Sequence, residues 1–206
     1  MSSFDGGHQP VATESEVRHE EWGDDDISGR THERVAFVDI DLTEVANQGA
    51  VFTDCTFRDC RFNASTHDDA AFVNCRFVGC SFFDATFTGC KFVGSAFDVC
   101  TFGLLKVVGG DWSFVGLPGA DLAKSSFKDV RMREADLAGA KLKGATLHNV
   151  DLSGASFRAA DLTKADLRGS DLSTLDPLTV QIREAIIDPQ QAIALAEVLG
   201  FHVRQR

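Results

Sequence analysis

The sequence predicts an all-β solenoid that turns a corner every five residues, and two periodic features predict it. Between Phe37 and Leu172 there are 28 positions whose numbers end in 2 or 7, and 26 of them hold Phe, Leu, Met, Val or Trp. Two residues before each, from Val35 to Ser170, every position holds Ala, Cys, Ser, Val, Ile, Leu or Gly, and none is charged. Residues two apart in an extended segment point the same way, so each large residue and the small one before it face inward together. A helix period of 3.6 or a strand period of 2 rotates such residues out of the core within a few repeats. Only a chain that bends at each fifth residue keeps them inside.

The repeat accounts for most of the composition. Thirteen of the 17 Phe lie on the large register, including the unbroken series from Phe72 to Phe102. All six cysteines, Cys55, Cys60, Cys75, Cys80, Cys90 and Cys100, lie on the small one. Their CxxxxC spacing therefore reads as core packing rather than as metal ligands or disulfides. Outward positions carry corner residues, as in Asp151 to Ala155 (DLSGA) and Asp166 to Ser170 (DLRGS). Two residues break the large register, Asn47 and His67, and His32 at the preceding register position points to an irregular first coil. In the segment from Gly103 to Gly119, Val108, Phe114 and Val115 are expected outside, or Leu105 crowds the interior, giving a distorted face.

The organisation follows in three parts. Residues 1–21 are polar and lack the period, which predicts a disordered acidic tail. Residues 22–187 carry the repeat. Residues 188–206 form a C-terminal cap: Asp188 is an N-cap, Pro189 opens a helix, and Gly200 ends it. Its apolar stripe of Ala192, Leu195, Ala196 and Leu199, followed by Phe201 and Val203, can close the last coil, contact a second copy, or do both.

Thirty-one acids against 20 bases give a net charge of −11, which argues against a nucleic-acid ligand and for either solubility or a basic partner surface. The charge is uneven: −6 over residues 1–36, −5 over 37–102, +1 over 103–172 and −1 over 173–206. No apolar run reaches bilayer length, and the first residues lack a basic start and an apolar stretch, so a cytoplasmic protein without a membrane partner is expected. No Ser/His/Asp set, paired-carboxylate site, phosphate loop or cofactor motif can be placed, so catalytic, metal and cofactor residues are none and an enzyme is not expected.

Units such as ADLAG (Ala135 to Gly139) and ADLTK (Ala160 to Lys164) resemble the pentapeptide-repeat family. That resemblance implies a right-handed quadrilateral parallel β-helix with a short C-terminal α-helix, in which four units make one coil and residues 20 apart stack. Asn47 and His67 then lie on adjacent coils, within reach of a hydrogen bond in the core or turned outward at a bulge. The Phe- and Cys-rich first half (CRFVGCSFFDATFTGCKF), the Leu- and Ala-rich second half and the ending DPQQAIALAEVLGFHV resemble the quinolone-resistance branch, of the MfpA type and more distantly Qnr. That branch implies a homodimer through Ala192, Leu195, Ala196, Leu199, Phe201 and Val203. It also implies an acidic, DNA-mimicking rod that binds DNA gyrase, with Asp39, Asp41, Glu44, Asp54, Asp59, Asp68, Asp69, Asp84 and Asp98 on the contact surface. Unlike Qnr, the register from Phe37 to Leu172 has no loop excursion, which favours simple competition with DNA. The alternative is a scaffolding repeat protein with another protein partner.

Overall fold

The computed structural model describes residues 12–23 and 26–204. Strand pairing among them is parallel and offset by 20 residues, from Ser15 on Val35 to Asp166 on Ile186. Four five-residue sides therefore close each turn of the solenoid. One side is a sheet of Ser15–Arg18, Val35–Val38, Thr56–Arg58, Arg76–Val78 and Ala96–Asp98. A second joins Thr31–Glu33, Val51–Thr53 and Ala71–Val73, and a third runs in steps of 20 from Ala46–Gln48 to Thr146–His148. Single bridges hold the fourth, from Glu21 through Asp41, Arg61 and Ser81 to Thr101.

One unit explains the rest. Cys75 and Phe77 are buried, Arg76 and Val78 face out, and Gly79 turns the corner at φ +66°. Every described corner residue from His19 to Gly169 has a left-handed backbone, with φ between +51° and +75°, the region that Gly, Asn and Asp enter most easily. Corner amides are not lost: that of Asp39 donates to the Arg58 carbonyl at 2.9 Å, on the next coil. The large side chains stack at the coil spacing. Phe57 lies 4.9 Å from Phe77 and Phe77 4.7 Å from Phe97, with planes within 8° of parallel. Between sides the rings meet edge to face, as Phe77 and Phe82 do at 5.6 Å and 71°. Such pairs add about 0.5–1.5 kcal/mol to the burial of each ring.

Three expectations are corrected. The solenoid begins within the expected tail, because Ser15–Arg18 pairs residue for residue with Val35–Val38, and Trp22 and Ile27 are buried at that end. The tail's first 11 residues lie outside the described ones. His32 is regular, stacked on Phe52 at 5.2 Å and 10°. Leu105 and Val115 are both buried, because they occupy the small register and the solenoid accepts larger residues there. Val108 and Phe114 are exposed, as expected.

The distortion in this segment is local and has a packing cause. Trp112 fills a large-register position and lies 4.2 Å from Phe92. The small residue before it is Gly110, at φ +85°, where a Cβ would stand 2.1 Å from the Cys90 carbonyl oxygen. The backbone of Cys90, one coil below, therefore leaves no room for a side chain at this position. Gly110→Ala is expected to cost about 1–3 kcal/mol, measured by chemical denaturation.

Asn47 and His67 form one buried hydrogen-bond chain. The Asn47 Nδ2 donates to His67 Nδ1 at 3.0 Å, and Asn47 Oδ1 accepts from the Ala50 amide at 3.3 Å. Ser65 Oγ donates to the Phe62 carbonyl at 2.7 Å, so it accepts from His67 Nε2 at 3.0 Å. Both ring nitrogens are satisfied with the imidazole neutral, and burial lowers the His67 pKa to about 3. Between pH 3 and 6.5 the unfolded chain binds a proton that the folded one refuses, so stability rises with pH by about 1.4 kcal/mol per unit and levels off above 6.5. The double variant Asn47→Leu/His67→Phe is expected to lose the His67 share of the slope and to keep that of His32, whose pKa burial also lowers, read from denaturation midpoints across the window.

Candidate functional site

The nine candidate carboxylates fall on all four edges of the rod. Asp39 and Asp59 share one corner column, Glu44 and Asp84 a second, while Asp54 and Asp69 stand at the other two; all six have positive φ. Asp41, Asp68 and Asp98 lie on the flat sides. Their corner positions follow from the fold, since an acidic residue with a short side chain tolerates the left-handed backbone and reaches water.

Several are paired with nitrogen groups within the chain. Arg61 sits 3.0 Å from Asp41 and 3.6 Å from Asp39, His19 3.0 Å from Asp39, Arg76 2.6 Å from Asp98 and Lys106 2.8 Å from Asp84. Partial burial raises the Asp41 pKa, but hydrogen bonds from Thr43 and the Arg61 guanidinium outweigh it and leave it lowered. Glu44, Asp54, Asp59, Asp68 and Asp69 make no ion pair among the described residues, so they form the freest part of the acidic surface.

At the other end the helix Pro189–Val198 is fixed by polar contacts rather than by its apolar stripe. Asp188 caps it, accepting from the amides of Gln190 and Gln191 at 2.9 and 3.0 Å. Gln191 is buried; its Nε2 donates to the carbonyls of Leu167 and Ser170 at 2.6 and 2.7 Å, and its Oε1 accepts from the Asp188 amide at 2.8 Å. Those carbonyls lie just past the last bridge to the final coil, Asp166 on Ile186, where the chain leaves the solenoid for the helix. Of the predicted stripe, Leu195 packs against the core, Ala196 is half-buried, and Ala192 and Leu199 are exposed.

Phe201 and Val203 are exposed as well, and they are joined by Ile186, Ile193 and Val198. A stripe drawn at helical spacing through Ala192, Leu195, Ala196 and Leu199 leaves out Ile193 and Val198 on other faces of the helix and Ile186 on the coil before it. Exposed Phe83 and Leu104 were also missed, since outward positions are read as polar by default. Among the described residues no group of His, Cys, Asp or Glu is placed to hold a metal. The six cysteines are unpaired thiols, five of them buried, and burial pushes the Cys90 thiol up to about 12. No described helix is long and apolar enough to cross a membrane.

Residues 117–154 and 135–173 match the family model of pentapeptide repeats, and residues 22–102 match that of the SV2A/B/C luminal domain. No curated protein matches by sequence. Among solved structures, QnrB1, a plasmid-mediated fluoroquinolone resistance protein, is 24% identical over 93% of this chain and 98% of its own, with a TM-score of 0.41. HetL, a pentapeptide repeat protein involved in heterocyst differentiation regulation in Nostoc sp. strain PCC 7120, is 17% identical over 85% and 87%, with a TM-score of 0.48. A pentapeptide repeat protein of the Arabidopsis thaliana thylakoid lumen is 22% identical over 84% and 86%, with a TM-score of 0.29.

If the exposed C-terminal surface is a contact between copies, a charge at its most exposed aromatic breaks it without touching the core. Phe201 is 65% exposed, so Phe201→Asp is expected to halve the mass seen by sedimentation while leaving the unfolding temperature within about 2 °C.

Proposed function

Starting from a chain that carries pentapeptide repeats along a parallel β-solenoid, we propose that it binds DNA gyrase, or a related type II topoisomerase, in place of DNA. The rod lowers the enzyme's activity and with it the damage done by fluoroquinolones and other topoisomerase poisons. Its role is non-enzymatic, and two copies join through the C-terminal surface, which puts an acidic tip at each end.

Charge density carries the reading. Residues 37–102 span about 3.3 coils, or ~16 Å of rod at ~4.8 Å per coil, and bear nine carboxylates. That is roughly one per 1.8 Å of axis, against ~1.7 Å per phosphate in duplex DNA. The four bases of this stretch reduce the net charge to −5, or about one per 3 Å. A basic groove shaped for a duplex attracts such a rod electrostatically, by terms that weaken with salt. The second half, at +1, supplies no such attraction.

A scaffolding role with a different basic partner is favoured by the spread of the carboxylates over four corners, since a single groove touches only some of them. One experiment separates the two. Purified protein is expected to inhibit gyrase supercoiling at micromolar concentration in low salt, and the variant with Asp54, Asp59, Asp68 and Asp69 changed to Asn to inhibit at least tenfold less. No inhibition by the unaltered protein sinks the gyrase reading and leaves the scaffold.

A further inference from the structure

One corner column of the rod has charges that change sign about its middle. In steps of 20 it reads Glu44, Ala64, Asp84, Leu104, Lys124, Gly144, Lys164 and, beyond the basic arm, Glu184, all at positive φ and therefore all at the same corner. Acids stand at two positions on one side of Leu104, and lysines at the two mirror positions on the other. Leu104 is 45% exposed, and its neighbour across one coil, Phe83, is 53% exposed. Phe83 lies over Gly103, where an added Cβ would meet its ring at 3.0 Å. The column thus has an apolar centre between an acidic arm and a basic arm.

We propose that this edge is a docking surface for a second copy of the chain, lying antiparallel and side by side with the two-fold axis at Leu104. A two-fold rotation about an axis that lies in the contact plane, across the rods, reverses their direction and keeps the column opposite itself. Leu104 then meets Leu104 of the copy, Asp84 faces Lys124, Glu44 faces Lys164, and Ala64 faces Gly144. The adjoining outward column adds Thr43 opposite Thr163, Asn63 opposite Lys143, and Phe83 opposite Ala123. No like charges oppose one another in these two columns from Glu44 to Lys164; on the far side of the corner Lys106 comes opposite its own copy, where Asp84 at 2.8 Å offsets its charge.

Within one chain Asp84 is 2.8 Å from Lys106 and Lys164 is 3.5 Å from Glu184. Exposed pairs of this kind are weak and exchange partners readily. From Glu44 to Lys164 is six coil steps, about 29 Å, so a strip about 10 Å wide covers on the order of 300 Å² per copy. That is below the size of a stable dimer interface and marks a transient, salt-sensitive contact. It is separate from the C-terminal surface, which lies at the end of the rod.

The test uses the full chain with Cys100→Ser, which removes the one native thiol that is not fully buried, and with Phe201→Asp, which removes the C-terminal contact. In this background Leu104→Cys is expected to form a disulfide-linked dimer under mild oxidation at least tenfold faster than Ala64→Cys. Ala64 occupies the same column two coils from the axis, and so about 19 Å from its own copy. Reversing the acidic arm with Glu44→Lys and Asp84→Lys is expected to slow the Leu104→Cys reaction about tenfold. Adding Lys124→Glu and Lys164→Glu is expected to restore it. Equal rates at Leu104→Cys and Ala64→Cys overturn the proposal, and so does indifference of the Leu104→Cys rate to the reversals. Neither result depends on gyrase.

Discussion

Everything in this molecule depends on a left-handed residue at each fifth position. It turns the chain through a corner without breaking the hydrogen bonds to the neighbouring coils, and so returns each side chain to the same place 20 residues later. The stacked Phe columns, the thiol columns and the buried Asn47 to His67 contact all follow from that return. A solenoid of this kind is held by nearest-neighbour coils, so the corner residues are as much a part of its stability as the aromatic rings. Val99, Leu104 and Phe114 show the strength of the rule, because bulky side chains adopt φ of +53° to +61° there against their own preference.

The inward half of the fold was legible because it obeys a period that no helix or ordinary strand sustains. Phe77, Cys75 and their equivalents could be placed inside from spacing alone. What misled was treating exceptions as defects. His32 looked irregular, yet an imidazole is flat and stacks on Phe52 as a phenyl ring does. Leu105 and Val115 looked crowded, yet the small register accommodates them beside the Val107 and Leu117 centres, which are smaller than Phe. Trp112 went the other way, following Gly110, where the Cys90 backbone excludes any side chain. The register therefore specifies a summed volume per side rather than two fixed residue types.

The outward half was legible only in part. Net charge by segment located the acidic end, but the pairing of Asp39 and Asp41 with Arg61, of Asp98 with Arg76 and of Asp84 with Lys106 depends on residues 20 or 22 apart. That proximity exists only once the coil is drawn. The same blindness hid the column from Glu44 to Lys164, which is scattered over 120 residues of sequence and continuous over six coil steps. Five-residue spacing reveals the core; 20-residue spacing is needed to see the surface.

The two ends show how a periodic structure stops. A coil that ended on its own carbonyls would offer the next molecule a template, with hydrogen-bond acceptors and an open core presented together. At the N-terminal end Trp22 and Ile27 are buried in the first coil. At the C-terminal end Gln191 takes the carbonyls of Leu167 and Ser170, and Asp188 takes the amide of Gly169 at 3.1 Å. Because two polar side chains terminate the backbone, the helix need not spend its apolar residues as a lid. Leu195 packs against the core, Val180, Ile182, Ala185 and Ile187 of the final coil stay half-buried, and Ile193, Val198, Leu199 and Phe201 are left facing outward. Backbone termination and the display of an apolar surface are thus separate tasks of one short segment. The backbone groups of Leu167, Gly169 and Ser170 are thereby withheld from any contact at this end, which would fall to side chains alone.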